Sequence, residues 1–76
     1  MSRLSKVKTG SQVVFISVDG GLHSRSRLAD MGLLPGEKIK VVQNTGHGPV
    51  TVLMKGSKVA LGHGLAEKII VKERES

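Results

Sequence analysis

Apolar residues recur along this chain in short runs separated by glycine-rich breaks. Gln12-Val-Val-Phe-Ile-Ser-Val18 is dense in β-branched residues and predicts a strand. Strict alternation puts Val14, Ile16 and Val18 on one face and Val13, Phe15 and Ser17 on the other, so both faces are mostly apolar. Asp19-Gly20-Gly21 ends the run. Lys38-Ile-Lys-Val-Val-Gln43 alternates more cleanly, with Ile39 and Val41 inward and Lys38 and Lys40 outward. Val50–Met54, Lys58–Leu61 and Ile69–Lys72 predict three further strands. Residues 44–49 read as a loop. Gly56-Ser57 has the Gly-X form of a two-residue type II′ hairpin. Leu65–Lys68 has room for one helical turn before the last strand.

Between the first two strands the period changes. Ser24 is placed to cap a helix running to Met31, and Gly32 is suited to the C′ position. At about 100° per residue, Ser24, Leu28 and Met31 share a narrow stripe. Arg25 and Arg27 flank it on opposite sides. Leu34-Pro35-Gly36-Glu37 fits a type II turn, with proline presetting φ and glycine accepting a positive φ after it. The expected architecture is therefore mainly β. About five antiparallel strands close into a small barrel, which removes exposed edges, and one short helix follows the first strand. Leu28, Ile39, Val41, Val50, Val52, Val59, Ile69 and Val71 are the expected core, joined by Phe15 and Met54.

Seventy-six residues predict a single domain spanning 1–76. A chain of this size buries roughly 60% of its unfolded surface, which leaves little core to give up to an enclosed pocket. Cysteine is absent, so disulfides and thiolate metal sites are excluded. No apolar run approaches the ~20 residues that cross a bilayer, and Met1–Lys8 has no signal-like apolar region. A cytoplasmic location is the expectation. The net charge is +6, and residues 1–8 contribute Arg3, Lys6 and Lys8 with no acid. Residues 1–6 and 73–76 are expected to be mobile. The positive balance reads first as a solubilising surface, and the functional alternative is a partner with an acidic face, whether nucleic acid, a membrane or a protein.

Arg25-x-Arg-Leu-x-x-Met-Gly-Leu-x-Pro-Gly-x-x-Ile39, followed by Gly48-Pro-Val50 and Ala66-x-x-Ile-x-Val71, resembles the FeoA family over about residues 7–72. The resemblance implies an SH3-like β-barrel carrying a short helix. It also implies a small cytosolic accessory protein of bacterial ferrous iron uptake, acting on a membrane transporter that carries a cytoplasmic GTPase domain. Similar domains form the C-terminal segment of DtxR-type metal-dependent repressors. Two stretches depart from the family pattern. Leu61-Gly-His-Gly-Leu-Ala66 lacks the arginine and glutamate that many relatives carry there, and His47-Gly48 stands where an acidic residue often precedes the proline.

Candidate chemistry is sparse. His23, His47 and His63 lie in or beside glycine-rich stretches and are not paired with one another at helical spacing. His63 and Glu67 are four apart. A transition-metal site needs several convergent ligands, so no metal site or cofactor is expected beyond weak metal affinity of surface histidines. The serines lack a recognisable base and orienting carboxylate, and no glycine run matches a phosphate-binding loop. The chain is therefore not expected to be an enzyme. Phe15 is the one aromatic residue, too few for stacking on single-stranded nucleic acid, which makes nucleic acid a poor partner. Arg25 and Arg27 remain as anchors for carboxylates of a protein partner, with Met31 and Leu34 as apolar support. The competing reading for Arg27 is an exposed pair with Asp30. Two other functions fit a barrel of this kind: a peptide-binding module of metal-dependent regulation, and nonspecific nucleic-acid binding.

Overall fold

Residues 1–74 are described by the structure, a computed structural model. The strands are β1 (Ser2–Arg3), β2 (Gln12–Val18), β3 (Lys38–Gln43), β4 (Val50–Met54), β5 (Ser57–Leu61) and β6 (Ile69–Glu73). Helix α1 (Leu22–Asp30) follows β2, and the single turn α2 (His63–Ala66) precedes β6. All pairings are antiparallel in one sheet of order β1-β6-β2-β3-β4-β5. This is the SH3-like architecture expected, with one difference: among the described residues β1 and β5, at the two ends of that order, do not pair. The barrel is thus a curled sheet left open along one seam. With only two residues, β1 offers little ladder with which to close it.

Alternation along β3 and β4 is as the sequence predicts. Ile39, Val41, Val50, Val52 and Met54 are buried, while Lys38 and Lys40 are exposed. Strand β2 departs from strict alternation at one point. Phe15 pairs with Val71 but Ser17 pairs with Ile70, so Ile16 is an extra residue opposite β6. Such a bulge shifts every later side chain to the other face. Val13, Phe15 and Val18 therefore all point into the core, and Ser17 points out. The core-facing side of this strand thus switches from odd to even positions at the bulge, and Val14 and Ile16 are half-buried.

The N-terminal segment is packed against the sheet where a mobile arm was expected. Ser2 and Arg3 pair with Val71 and Ile70, and a 3-10 turn over Leu4–Lys6 drops Leu4 and Ser5 into the interior. Leu4 has no exposed surface. At the other end Glu73 completes β6, and the Arg74 amide donates to the Gln12 carbonyl at 3.0 Å. The expectation for residues 75 and 76 lies outside the described residues.

Three local elements also differ from expectation. Helix α1 begins at Leu22, capped by Gly21 without a side-chain bond, and Ser24 lies inside it. The Arg25 amide already bonds to the Gly21 carbonyl at 3.3 Å, one turn ahead of the expected start. The β4–β5 hairpin turns on Lys55-Gly56, not Gly56-Ser57. Met54 pairs with Ser57, and Lys55 and Gly56 have φ of 51° and 78°. Positive φ at both central residues is the signature of a type I′ turn. Helix α2 starts at His63 instead of Leu65, because Leu61 still pairs with Val50 and the chain leaves the sheet at Gly62.

Candidate functional site

Helix α1 is stopped by a Schellman motif. The Gly32 amide donates to the Ala29 carbonyl and the Leu33 amide to the Leu28 carbonyl, both at 2.9 Å, with Gly32 at φ 86°. Leu28 and Leu33, brought together by this cap, are both buried. Leu34-Pro35-Gly36-Glu37 then forms the turn its sequence predicts, with Gly36 at φ 94° and the Glu37 amide bonded to the Leu34 carbonyl at 3.0 Å. The turn is latched to β2: the Gly36 amide donates to the Phe15 carbonyl at 2.8 Å, and the Phe15 amide to the Glu37 carbonyl at 2.9 Å. Helix, cap and turn are thereby held at a fixed distance from β2.

The space left between them is a groove of about 380 Å³. Its floor is apolar, built from Phe15, Val18, Leu28 and Leu33. Its rim is mixed, with Ser17 on one side and Arg25, Ala29, Leu34 and Pro35 on the other. Leu34 is 51% exposed, one of few large apolar side chains facing solvent. Arg25 forms no ion pair and no side-chain hydrogen bond among the described residues, so its guanidinium is available to an incoming carboxylate.

The residues singled out from the sequence divide here. Arg25 and Leu34 line the groove together. Arg27 is exposed on the opposite flank of α1, as its spacing predicts, and lies outside the groove. The Arg27–Asp30 pair is not formed among the described ion pairs. Met31 is half-buried and packs against the core. One residue was missed: Leu22 is 78% exposed. With α1 starting at Leu22, helical spacing sets Leu22 on one stripe with Arg25 and Ala29, which line the groove. The displaced helix start hid it, since a helix beginning after Ser24 leaves Leu22 in a loop.

A second recess, of about 400 Å³, is bordered by Ser5, Lys8, Asn44, His63 and Glu67. Asn44 organises it by donating from Nδ2 to the carbonyls of Ser5 and Val7 at 3.1 and 2.7 Å. His63 and Glu67 do meet, with Nε2 2.7 Å from Oε1. They supply two ligands, and no group of three or more metal-ligating side chains occurs among the described residues. Among the described residues, no helix is long and apolar enough to cross a membrane.

The FeoA domain model matches residues 2–73, almost the whole chain. The chain belongs to the FeoA domain family. A protein of Methanocaldococcus jannaschii, provisionally named Fe(2+) transport protein A, is 41% identical over 75 residues, covering 99% of this FeoA domain and 90% of the relative. The crystal structure of an iron uptake regulatory protein, FeoA, superposes with a TM-score of 0.87 at 32% identity, covering 95% of this chain and 96% of the other. The crystal structure of T. acidophilum IdeR superposes with a TM-score of 0.84 over 95% of this chain but 33% of its own, at 23% identity, which is a likeness of fold alone. A manganese-dependent transcriptional repressor shares the fold as well, with a TM-score of 0.84 over 95% of this chain and 41% of its own, at 19% identity.

Proposed function

We propose that this protein is a non-enzymatic accessory factor of ferrous iron transport that docks on the cytoplasmic GTPase portion of a membrane iron transporter. Membership of the FeoA family and the kinship with a protein named for Fe(2+) transport support the iron-transport role. The groove between α1 and β2 supports docking, and one observation carries it: Arg25, without an ion pair among the described residues, stands beside exposed Leu34 over an apolar floor. A guanidinium next to apolar surface is the chemistry of interface anchors. A partner segment that presents a carboxylate beside an apolar side chain fills it, with Arg27 receiving a second acidic group on the other flank of the helix and Met31 buttressing the helix from its core side. Nucleic acid is the weaker reading, since Phe15 is only 3% exposed and cannot stack on bases.

The test is a titration against the transporter's soluble GTPase domain. Arg25→Ala with Arg27→Ala should leave thermal unfolding unchanged and weaken binding by about tenfold or more. Binding equal to wild type would contradict the assignment.

A further inference from the structure

The register of the sheet gathers cations that lie far apart in sequence. Lys72 of β6 pairs with Val14 of β2, and Val14 pairs with Lys38 of β3. In the adjoining row Gln12 pairs with Lys40, Lys40 with Leu53, and Leu53 with Lys58. Arg74 joins that row through its Nη1, which donates to the Gln12 Oε1 at 3.2 Å. Both rows lie on the outer face of the sheet, because their in-strand neighbours Val13, Ile39, Val41, Val52 and Val71 are buried. Lys38, Lys40, Leu53 and Arg74 border one recess of about 270 Å³ there.

Among the described residues, the acids next to these rows in sequence or space lie off this face. Glu73, between Lys72 and Arg74 in sequence, pairs with buried Val13 and so belongs to the other face. Glu37 faces Lys55 at 3.6 Å, Asp19 faces Arg3, and Glu67 faces His63. No two lysines sit directly opposite one another. Val14 and Leu53 separate the lysines across strands by about 10 Å, near the screening length in physiological salt, whereas Lys38 and Lys40, two apart along β3, are about 7 Å apart. The arrangement limits self-repulsion and still presents one sign of charge over two rows of a convex surface.

We propose that this outer face docks on an anionic lipid bilayer. Four of its five cations are lysines, point charges on flexible stems without the rigid fork that reads a defined phosphate pattern. Half-buried Val14 and Leu53 stand among them, an apolar floor over which the lysine stems can extend to headgroups. The face offers neither a helix nor a protruding ribbon for a nucleic-acid groove, and it carries no aromatic residue. It shares no residue with the groove between α1 and β2, so both surfaces can be occupied at once.

Cosedimentation of the full chain with vesicles tests this. Vesicles rich in phosphatidylglycerol should bind the protein, phosphatidylcholine vesicles should not, and added sodium chloride should release it. Each cation near such a surface strengthens binding about fivefold, so Lys38→Gln, Lys40→Gln and Lys58→Gln together should lower partitioning by about a hundredfold. A variant with the same loss of charge elsewhere, Lys6→Gln, Lys8→Gln and Lys68→Gln, should keep most of the binding. Circular dichroism and thermal unfolding confirm that both variants are folded. Equal binding to neutral vesicles, equal losses in the two variants, or tighter binding to duplex DNA than to anionic vesicles at the same salt would each overturn the proposal.

Discussion

Two arginines separated by one residue on a nine-residue helix have different surroundings. Arg25 stands over the apolar groove beside Leu34, whereas Arg27 projects from the other side of α1 into solvent. A guanidinium beside an apolar floor loses more water on docking, so its bond to a partner carboxylate is stronger than one made at an open rim. Single substitutions should therefore rank: Arg25→Ala should weaken binding to the GTPase domain several-fold more than Arg27→Ala, as read by calorimetric titration. The equivalent ranking for stability centres on Leu28, which is 1% exposed and belongs to core, cap and groove floor together. Leu28→Ala should cost about 2–5 kcal/mol in urea unfolding, through a cavity that a core of this size refills poorly.

Among the elements, the cap of α1 sets the geometry of the site. Gly32 has φ 86°, and a Cβ there would come no nearer than 3.5 Å to the end of the Lys55 side chain. Gly32→Ala should therefore destabilise through backbone conformation alone, by about 1 kcal/mol, without a steric clash, and the shift in thermal midpoint measures it. This cap and the Pro35-Gly36 turn were legible in the sequence because single residues with special φ preferences dictate them. The strands Gln12–Val18, Lys38–Gln43 and Val50–Met54 were legible from β-branched density and alternation. Other features were not, each for a physical reason. The bulge at Ile16 is a matter of pairing with β6, which no local pattern records. Strand β1 is two residues long and carries no alternation to detect. Lys55 takes the positive φ that glycine usually supplies, so the hairpin signal pointed one residue too late. The groove itself joins β2, α1 and the Leu34-Pro35 turn. Sequence reasoning found Arg25 and Leu34 as residues but could not pair them with Ser17 and Val18 across space.

At the scale of the molecule, the first and last strands meet in the sheet. β1 lies beside β6, β6 beside β2, and Leu4 fills the interior next to them. The N-terminal residues are thus part of the structure that holds β6 in place. Leu4→Ala should cost about as much as Leu28→Ala, about 2–5 kcal/mol by urea unfolding, whereas a truly mobile arm would register no change. The remaining surface divides into a groove suited to a protein segment and a basic outer sheet face suited to an anionic surface. The most direct test of the docking role is a titration of the isotopically labelled protein with the soluble GTPase domain, followed by backbone amide NMR. The account predicts that the largest shifts gather at Ser17, Val18, Leu22, Arg25, Ala29 and Leu34. Shifts confined to the recess around Ser5, Asn44 and His63, or no shifts at saturating partner, would contradict it.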